Sequence, residues 1–456
     1  MKKLVGFLCA FILLFSSLFG AGCVDNRPID SYFIKLEYKN DLLICKMQYA
    51  CELKKDGELI FNLYPNAYKE DGQGITINSI KNNEKEVDWQ IFGDNAQFLT
   101  VDLENCKKGE NIQIDFEFIT AVPQSLSRHG KSNNVVNLAY FYPIACVCEN
   151  GDYQLLPFTD FGDPFYSDFA NYTVEITLPS VMSVATGGEP RGISVSGEET
   201  TYLYQIDNAK TFALSFSDNY HVICKNYNGK RISYFYYNDS NAEQNAEEIA
   251  NCLAFLEKNC FSYPYKNLTV AQSAYQSGGM EYPAFCVVGE SESARAYLYA
   301  IIHEVCHQIF PITISVNEYQ SGYFDEGITE FLTACFFEEK RAGVLNTRAI
   351  YCNAFVSAFK QSLKKQGLSY DGVMKKPLNQ FTEIEYVINA YYKGFLLFYK
   401  IDKGGEDMFK AIKKLYKSNG LSHITEQDFL KAVKHKREVK KNFEEIVCQG
   451  GDATLD

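Results

Sequence analysis

Two of the six histidines in this 456-residue chain stand four apart in HEVCHQIF (303–310), with Glu304 directly after the first. On a helix, residues four apart lie one above the other on the same face. His303 and His307 can therefore both direct an imidazole nitrogen at one cation. Zinc accepts such nitrogen and oxygen donors, and a catalytic zinc takes three protein ligands and a water. The third donor must come from another element. Downstream, YFDEGITEF offers Glu326, separated from His307 by eighteen residues (308–325), enough for a helix end, a loop and a return. The competing reading is two core histidines satisfied by their neighbours on a shared helix. A glutamate at a fixed later position favours the metal.

The elements that must carry these side chains change character along the chain. From about 30 to 237 short strand-like runs dominate: Tyr32 to Tyr38, Leu42 to Met47, Leu59 to Tyr64, Tyr172 to Leu178, Tyr202 to Ile206, Phe212 to Phe216 and Ile232 to Tyr237. Gly, Asn and Asp clusters separate them, which predicts an antiparallel sandwich or saddle. After Asn238-Asp239-Ser240 helical spacing takes over, with Asp239 or Ser240 as a candidate cap and Ile249, Leu253 and Leu256 on one face. A helix from Glu292 to Phe310 should stop at Pro311, and another from Asp325 to Glu338 should carry Glu326 at its start. The fold class expected is multi-domain α+β. A β domain spans 24–238, a mostly helical domain 239–448, and a polar tail 449–456.

Composition narrows the function. The chain is 46% hydrophobic and 22% charged, enough apolar residue for packed cores. Its formal charge is −13, so a nucleic acid would be approached against the protein's own field, and no nucleic-acid partner is expected. The N-terminus, MKKLVGFLCAFILLFSSLFGAGC, has Lys2 and Lys3 before an apolar stretch and small residues before Cys23. Residues 1–22 read as a signal peptide. The end of this leader resembles a bacterial lipobox, with Gly20 where Leu is usual, which implies lipidation at Cys23 and an extracytoplasmic, membrane-anchored protein. Ordinary cleavage and secretion, or an uncleaved anchor, are the alternatives. Fifteen cysteines less Cys9 and Cys23 leave thirteen, with no zinc-ribbon spacing. Most read as small buried hydrophobes, although disulfides stay open.

The motifs together carry a resemblance. HEVCH, eighteen residues and Glu326 resemble the zinc signature of the aminopeptidase N family, the gluzincin peptidases that include leukotriene hydrolase. GGMEYP (278–283) resembles the exopeptidase motif GxMEN, and AYYKGF (390–395) resembles the YxKG segment that holds the family's catalytic tyrosine. LYPNAY (63–68) and GDPFYSDFANYTVEITLP (162–179) resemble the β domain of bacterial members. The resemblance implies an N-terminal β saddle followed by a thermolysin-like, mostly helical zinc peptidase domain, one Zn2+ per chain, and peptide substrates with a free N-terminus. Three departures stand out: Tyr282 replaces the Asn of GxMEN, Asp325 precedes Glu326 where Asn is common, and the helical C-terminal domain of larger members has no counterpart.

On this resemblance His303, His307 and Glu326 are the zinc ligands and Glu304 is the general base that later returns the proton. Tyr391 would donate to the oxyanion. Glu281 would pair with the substrate's α-ammonium, with Met280 beside it, while Gly278 and Gly279 let the peptide approach the backbone. Glu330, one turn beyond Glu326, is either a partner of a ligating histidine or an exposed salt-bridge residue. Cys306 reads as packing. The activity implied is an aminopeptidase. A gluzincin endopeptidase or other hydrolase with an open cleft is the alternative, and a non-catalytic surface lipoprotein a more distant one.

Overall fold

The computed structural model describes residues 30–71, 74–132, 134–276 and 278–453. The leader, Cys23 and the last residues of the polar tail lie outside the described residues. No helix among the described residues is long and apolar enough to cross a membrane.

The first domain is built on an eight-stranded sheet. Its order is Glu189–Ser196, Glu199–Ala209, Ala170–Pro179, Asp30–Lys39, Leu42–Glu52, Asn111–Ala121, Ile75–Asn82 and Lys85–Glu86. Buried and half-buried residues alternate along Ala170–Pro179 and Asn111–Ala121, the period of a sheet with one face on a core. That face packs on two four-stranded sheets, centred on Leu214–Ser217 and Gly57–Asn62. Aromatic side chains fill the interface: Tyr32 stacks on Tyr172 with centroids 4.8 Å apart, and Phe61 meets Phe116 edge-on at 5.0 Å. The sheet departs from the antiparallel expectation at one place, since Asp30–Lys39 and Ala170–Pro179 run parallel. Strands so distant in sequence need no hairpin, so nothing forces them antiparallel.

A second sheet has the order His221–Tyr227, Lys230–Tyr236, Asn267–Ser273, Phe285–Gly289, Gly279–Tyr282. Its first two strands precede residue 238, where the sequence changes character, and pair onward into strands beyond it. Composition registers where helices begin, whereas strand pairing joins this hairpin to the helical half. Helix α1 (Ala242–Asn259) and helix α2 (Ala294–Cys306) cover this sheet. Helix α1 begins after Asn241, and Asp239 Oδ1 accepts from the Asn241 backbone N–H at 2.8 Å.

Helix α3 runs from Glu318 to Lys340, so Glu326 sits two turns inside a helix that starts earlier than its sequence pattern indicates. A kink at Ser321 (φ −144°) separates the first turn from the rest, and from Gly322 to Phe336 every residue is buried. Such all-round burial leaves no amphipathic stripe at the start of the helix to read. Helix α4 (Val344–Lys365) follows. The segment 383–403 then begins at a Thr382/Glu385 capping box, passes through a π-helical turn over Ile388–Lys393, and continues as a helix over Gly394–Lys403. Nine cysteines, among them Cys252, Cys286, Cys306 and Cys335, are buried free thiols.

Candidate active site

The histidine pair is positioned by a well-capped helix. Ser293 caps α2 by accepting the Ala296 backbone N–H, and the helix delivers His303 and His307 at its C-terminal end. The chain turns back through Phe310-Pro311, and α3 brings Glu326 alongside. His303 Nε2 and His307 Nε2 lie 3.0 Å apart, and each is 3.2 Å and 3.3 Å respectively from Glu326 Oε2. All three side chains are buried. A point about 2 Å from all three donors exists, which is the zinc–nitrogen and zinc–oxygen bond length. Two imidazole nitrogens and a carboxylate oxygen converging on one buried point are the donor types that zinc takes, so the set fits a cation. The same three residues form a metal-competent cluster.

The far side of each imidazole is held. His307 Nδ1 is 2.8 Å from the Phe310 carbonyl and 3.0 Å from Asp325 Oδ1. His303 Nδ1 is 3.4 Å from Glu330 Oε1, while Glu330 Oε2 accepts from Tyr299 at 2.6 Å and from Arg348. Glu330 is thus buried beside His303 and is not an exposed salt-bridge residue. Cys306 points away, its Sγ 3.8 Å from that of Cys252, as packing requires.

Glu304 stands beside the candidate ligands, buried, with Oε2 lacking a hydrogen-bond partner among the described residues. Burial raises its pKa to about 7, against the opposing pull of His303 and His307. Its space is made by Gly279, where a Cβ would lie 2.3 Å from Glu304 Oε1. Gly278 precedes it with φ +93°, a conformation costly for any residue with a Cβ. The strand Gly279–Tyr282 is the sheet's edge, and it carries Met280 and Glu281 into the site. Glu281 is buried with Oε1 3.9 Å from His307 Nδ1, and burial drives its pKa well above the carboxylate range despite the His307 charge.

Tyr391 comes from the π-helical turn, and its hydroxyl donates to Glu326 Oε1 at 2.6 Å. Burial and then the Glu326 charge raise its pKa well above 10, so it stays protonated at neutral pH. A backbone contact permits this approach. A Cβ on Gly327 would lie 2.7 Å from the Gly394 carbonyl carbon, so the two helices touch at paired glycines. Lys393 anchors the turn by donating to the Gly372 carbonyl at 2.6 Å.

Every expected site residue with described coordinates therefore converges on one place. Three residues were not anticipated. Arg128 and Asp163, from the first domain, form a 2.8 Å pair, and Arg128 Nε reaches Met280 Sδ at 3.0 Å. Asp325 appeared only as a departure from Asn, whereas here it contacts His307. Its adjacency to Glu326 was a usable signal and Asp163 lies in the GDPFYSDFANYTVEITLP segment, but nothing in the local pattern marks Arg128. Buried acids surround the histidines. Burial itself opposes charge on His307, yet Glu281, Asp325 and Glu326 raise its pKa well above 6.5. An incoming cation therefore has to displace protons.

A β domain packed on a helical domain with a convergent His–His–Glu centre defines a zinc metallopeptidase. Residues 244–449 match the family model described as the peptidase family M1 domain. That segment is a peptidase family M1 domain, a zinc metallopeptidase domain, and its His–His–Glu cluster is the candidate Zn2+ site. Among solved structures, the chain is similar to a two-domain M1 zinc metallopeptidase variant bound to L-tryptophan, with a TM-score of 0.68 and 14% identity over 94% of this chain and 95% of that one. A variant from Deinococcus radiodurans bound to a Tyr-Ser-Ala substrate gives a TM-score of 0.68 at 15% identity, with the same coverage. The M1 zinc metallopeptidase from Deinococcus radiodurans gives 0.66 at 14%, again over 94% and 95%. At such low identity these superpositions show a shared fold. Among curated proteins, none matches the chain by sequence.

Proposed function

We propose that the protein is an aminopeptidase that removes N-terminal residues from peptides. The observation that carries this reading is Glu281, a buried carboxylate on an edge strand within 3.9 Å of a candidate zinc ligand. A carboxylate stripped of water at that place gains most from a full positive charge, which a peptide's α-ammonium supplies and an acylated terminus does not. Gly279–Tyr282 can take the substrate as an added strand along its free edge. Solved relatives with the same fold bind an amino acid and a tripeptide, in keeping with this reading.

His303, His307 and Glu326 would hold zinc, which when bound lowers the pKa of a water and polarises the scissile carbonyl. Glu304 would take the proton from that water at its unpartnered Oε2 and pass it to the leaving amine. Tyr391, protonated at working pH, would turn its O–H from Glu326 to the oxygen that gains charge. Asp325 and Glu330 would fix the imidazoles from behind.

The full chain loaded with zinc should hydrolyse alanyl-, leucyl- or arginyl-anilides. No turnover in a sample shown to contain zinc overturns the reading. We also propose that the mature chain is held at the extracytoplasmic membrane face through Cys23. Cys23→Ser should move it from the membrane to the soluble fraction, and an unchanged distribution would refute the anchor.

A further inference from the structure

Past the segment 383–403 the chain forms three helices, α5 (Met408–Asn419), α6 (Glu426–Ala432) and α7 (Lys436–Asn442). Helix α5 buries Met408, Ala411, Ile412 and Leu415, and its Phe409 meets Phe255 of α1 edge-on at 5.8 Å. Its opposite face presents Lys410, Lys413, Lys414 and Lys417, spaced three and four apart and all exposed. Lys434, Lys436, Arg437 and Lys440, also exposed, continue the charge beyond α6 and along α7.

Contacts join these side chains into one surface. Lys414 Nζ donates to the Lys431 carbonyl of α6 at 2.9 Å. Buried Glu406, just before α5, accepts the backbone N–H groups of Lys434 and His435 at 2.9 and 2.8 Å. From Met408 to Asn442 ten lysines and arginines stand against three carboxylates, in a chain of net charge −13. Lys410, Lys431 and Lys441 are paired with Asp407, Asp428 and Glu445. The other seven cations have no ion pair among the described residues. The remainder of the molecule is correspondingly more acidic. A negatively charged plane therefore attracts one side and repels the rest, which fixes an orientation.

The first strand starts at the same side of the molecule. Asp30, Lys54 and Asp168 line one small cleft, and Lys54 donates to Asp168 at 2.6 Å. Asp168 Oδ1 is in turn 3.3 Å from His423 Nε2, and His423 stands in the connection between α5 and α6. Cys23 precedes Asp30 by seven residues, which span at most about 25 Å. A lipid at Cys23 thus keeps this end of the molecule close to a bilayer. The tether removes the need to diffuse toward anionic lipid against the net charge, and within about 8–10 Å of the surface the unpaired cations dominate.

We infer that the lysine face of α5 to α7 docks on anionic lipid headgroups, its partner being a negatively charged bilayer. No residue of this face belongs to the metal centre, so docking leaves the site's chemistry unaltered. The inference rests on the membrane location proposed through Cys23 and gives that location a second, non-covalent attachment.

The test mixes the unanchored Cys23→Ser protein with vesicles of phosphatidylglycerol and phosphatidylcholine in equal parts, or of phosphatidylcholine alone, and reads the bound fraction by sedimentation. At about 0.1 M salt the partition coefficient should be at least roughly tenfold higher on the anionic vesicles. Raising salt to about 1 M shortens the screening length from about 10 Å to about 3 Å and should abolish that difference. Lys413→Glu/Lys414→Glu/Lys417→Glu should weaken binding to anionic vesicles by roughly tenfold or more, with thermal unfolding unchanged. Equal binding to both vesicle types, or anionic binding that survives the triple substitution, overturns the lysine face. Should the triple variant unfold, the headgroup and salt comparisons on the parent protein decide alone. The redistribution of Cys23→Ser between membrane and soluble fractions reports on the anchor separately, so the anchor and the lysine face fail independently.

Discussion

At the residue scale the account turns on Glu304 and Glu281. Replacing Glu304 by Gln keeps its shape and the three donor atoms but removes the proton acceptor. Zinc content should stay near one per chain, while kcat falls by roughly 10²–10⁴; metal analysis beside a rate assay checks both. The base works only when deprotonated, so activity should be lost as pH falls through its pKa. Burial sets that pKa at about 7 without a metal ion, and a nearby cation favours the carboxylate and lowers it. The acid limb of kcat/KM should therefore lie at or below pH 7, and a limb well above it would remove Glu304 from this role. Glu281→Ala should lower kcat/KM for a peptide with a free N-terminus by about a hundredfold, and N-acetylated peptides should show no comparable loss. The candidate ligands His303 and His307 and the candidate base Glu304 were legible in the sequence because helical spacing is local. Arg128 and Asp163 were not, because tertiary packing brings them from another domain to Met280 and the acidic bowl.

At the scale of elements, the site depends on how closely backbone segments approach. Gly327 follows a candidate ligand and Gly394 closes the YYKG segment, and these two glycines touch. Motif matching finds each glycine separately, but only the fold shows that the one makes room for the other. In Gly394→Ala the new Cβ would lie 2.9 Å from Gly327 Cα and 3.0 Å from the Tyr323 carbonyl oxygen. The substitution should push Tyr391 away from Glu326, destabilise the protein by about 1–3 kcal/mol, and lower kcat more than it raises KM. Thermal unfolding with steady-state kinetics checks this. The π-helical turn beneath Tyr391 was equally invisible to sequence, since a single extra residue in a helical turn leaves the apolar period almost unchanged. The early start of α3 was hidden for a related reason, because a helix buried on every side shows no polar face.

At the scale of the whole molecule, the two domains build one site and share one apolar core. Lys210 of the first domain donates to Glu318 at the start of α3 at 2.6 Å, with both side chains buried. Removing one partner strands the other charge. Lys210→Met should cost on the order of 3–5 kcal/mol, and Lys210→Met/Glu318→Leu should recover most of it; denaturant unfolding of the three proteins checks this, and equal losses in single and double variants would refute the pairing. The order of strands before helices was legible from turn residues and periodicity. The domain interface was not, because the residues that form it have no common local signature.

The most direct test of the central claim uses one protein sample on leucyl-anilide and N-acetyl-leucyl-anilide, before and after chelation and again after adding zinc. The account predicts that the free amine substrate alone is cleaved, that chelation stops the reaction and that zinc restores it. Equal cleavage of both substrates, or cleavage that continues without metal, would contradict it.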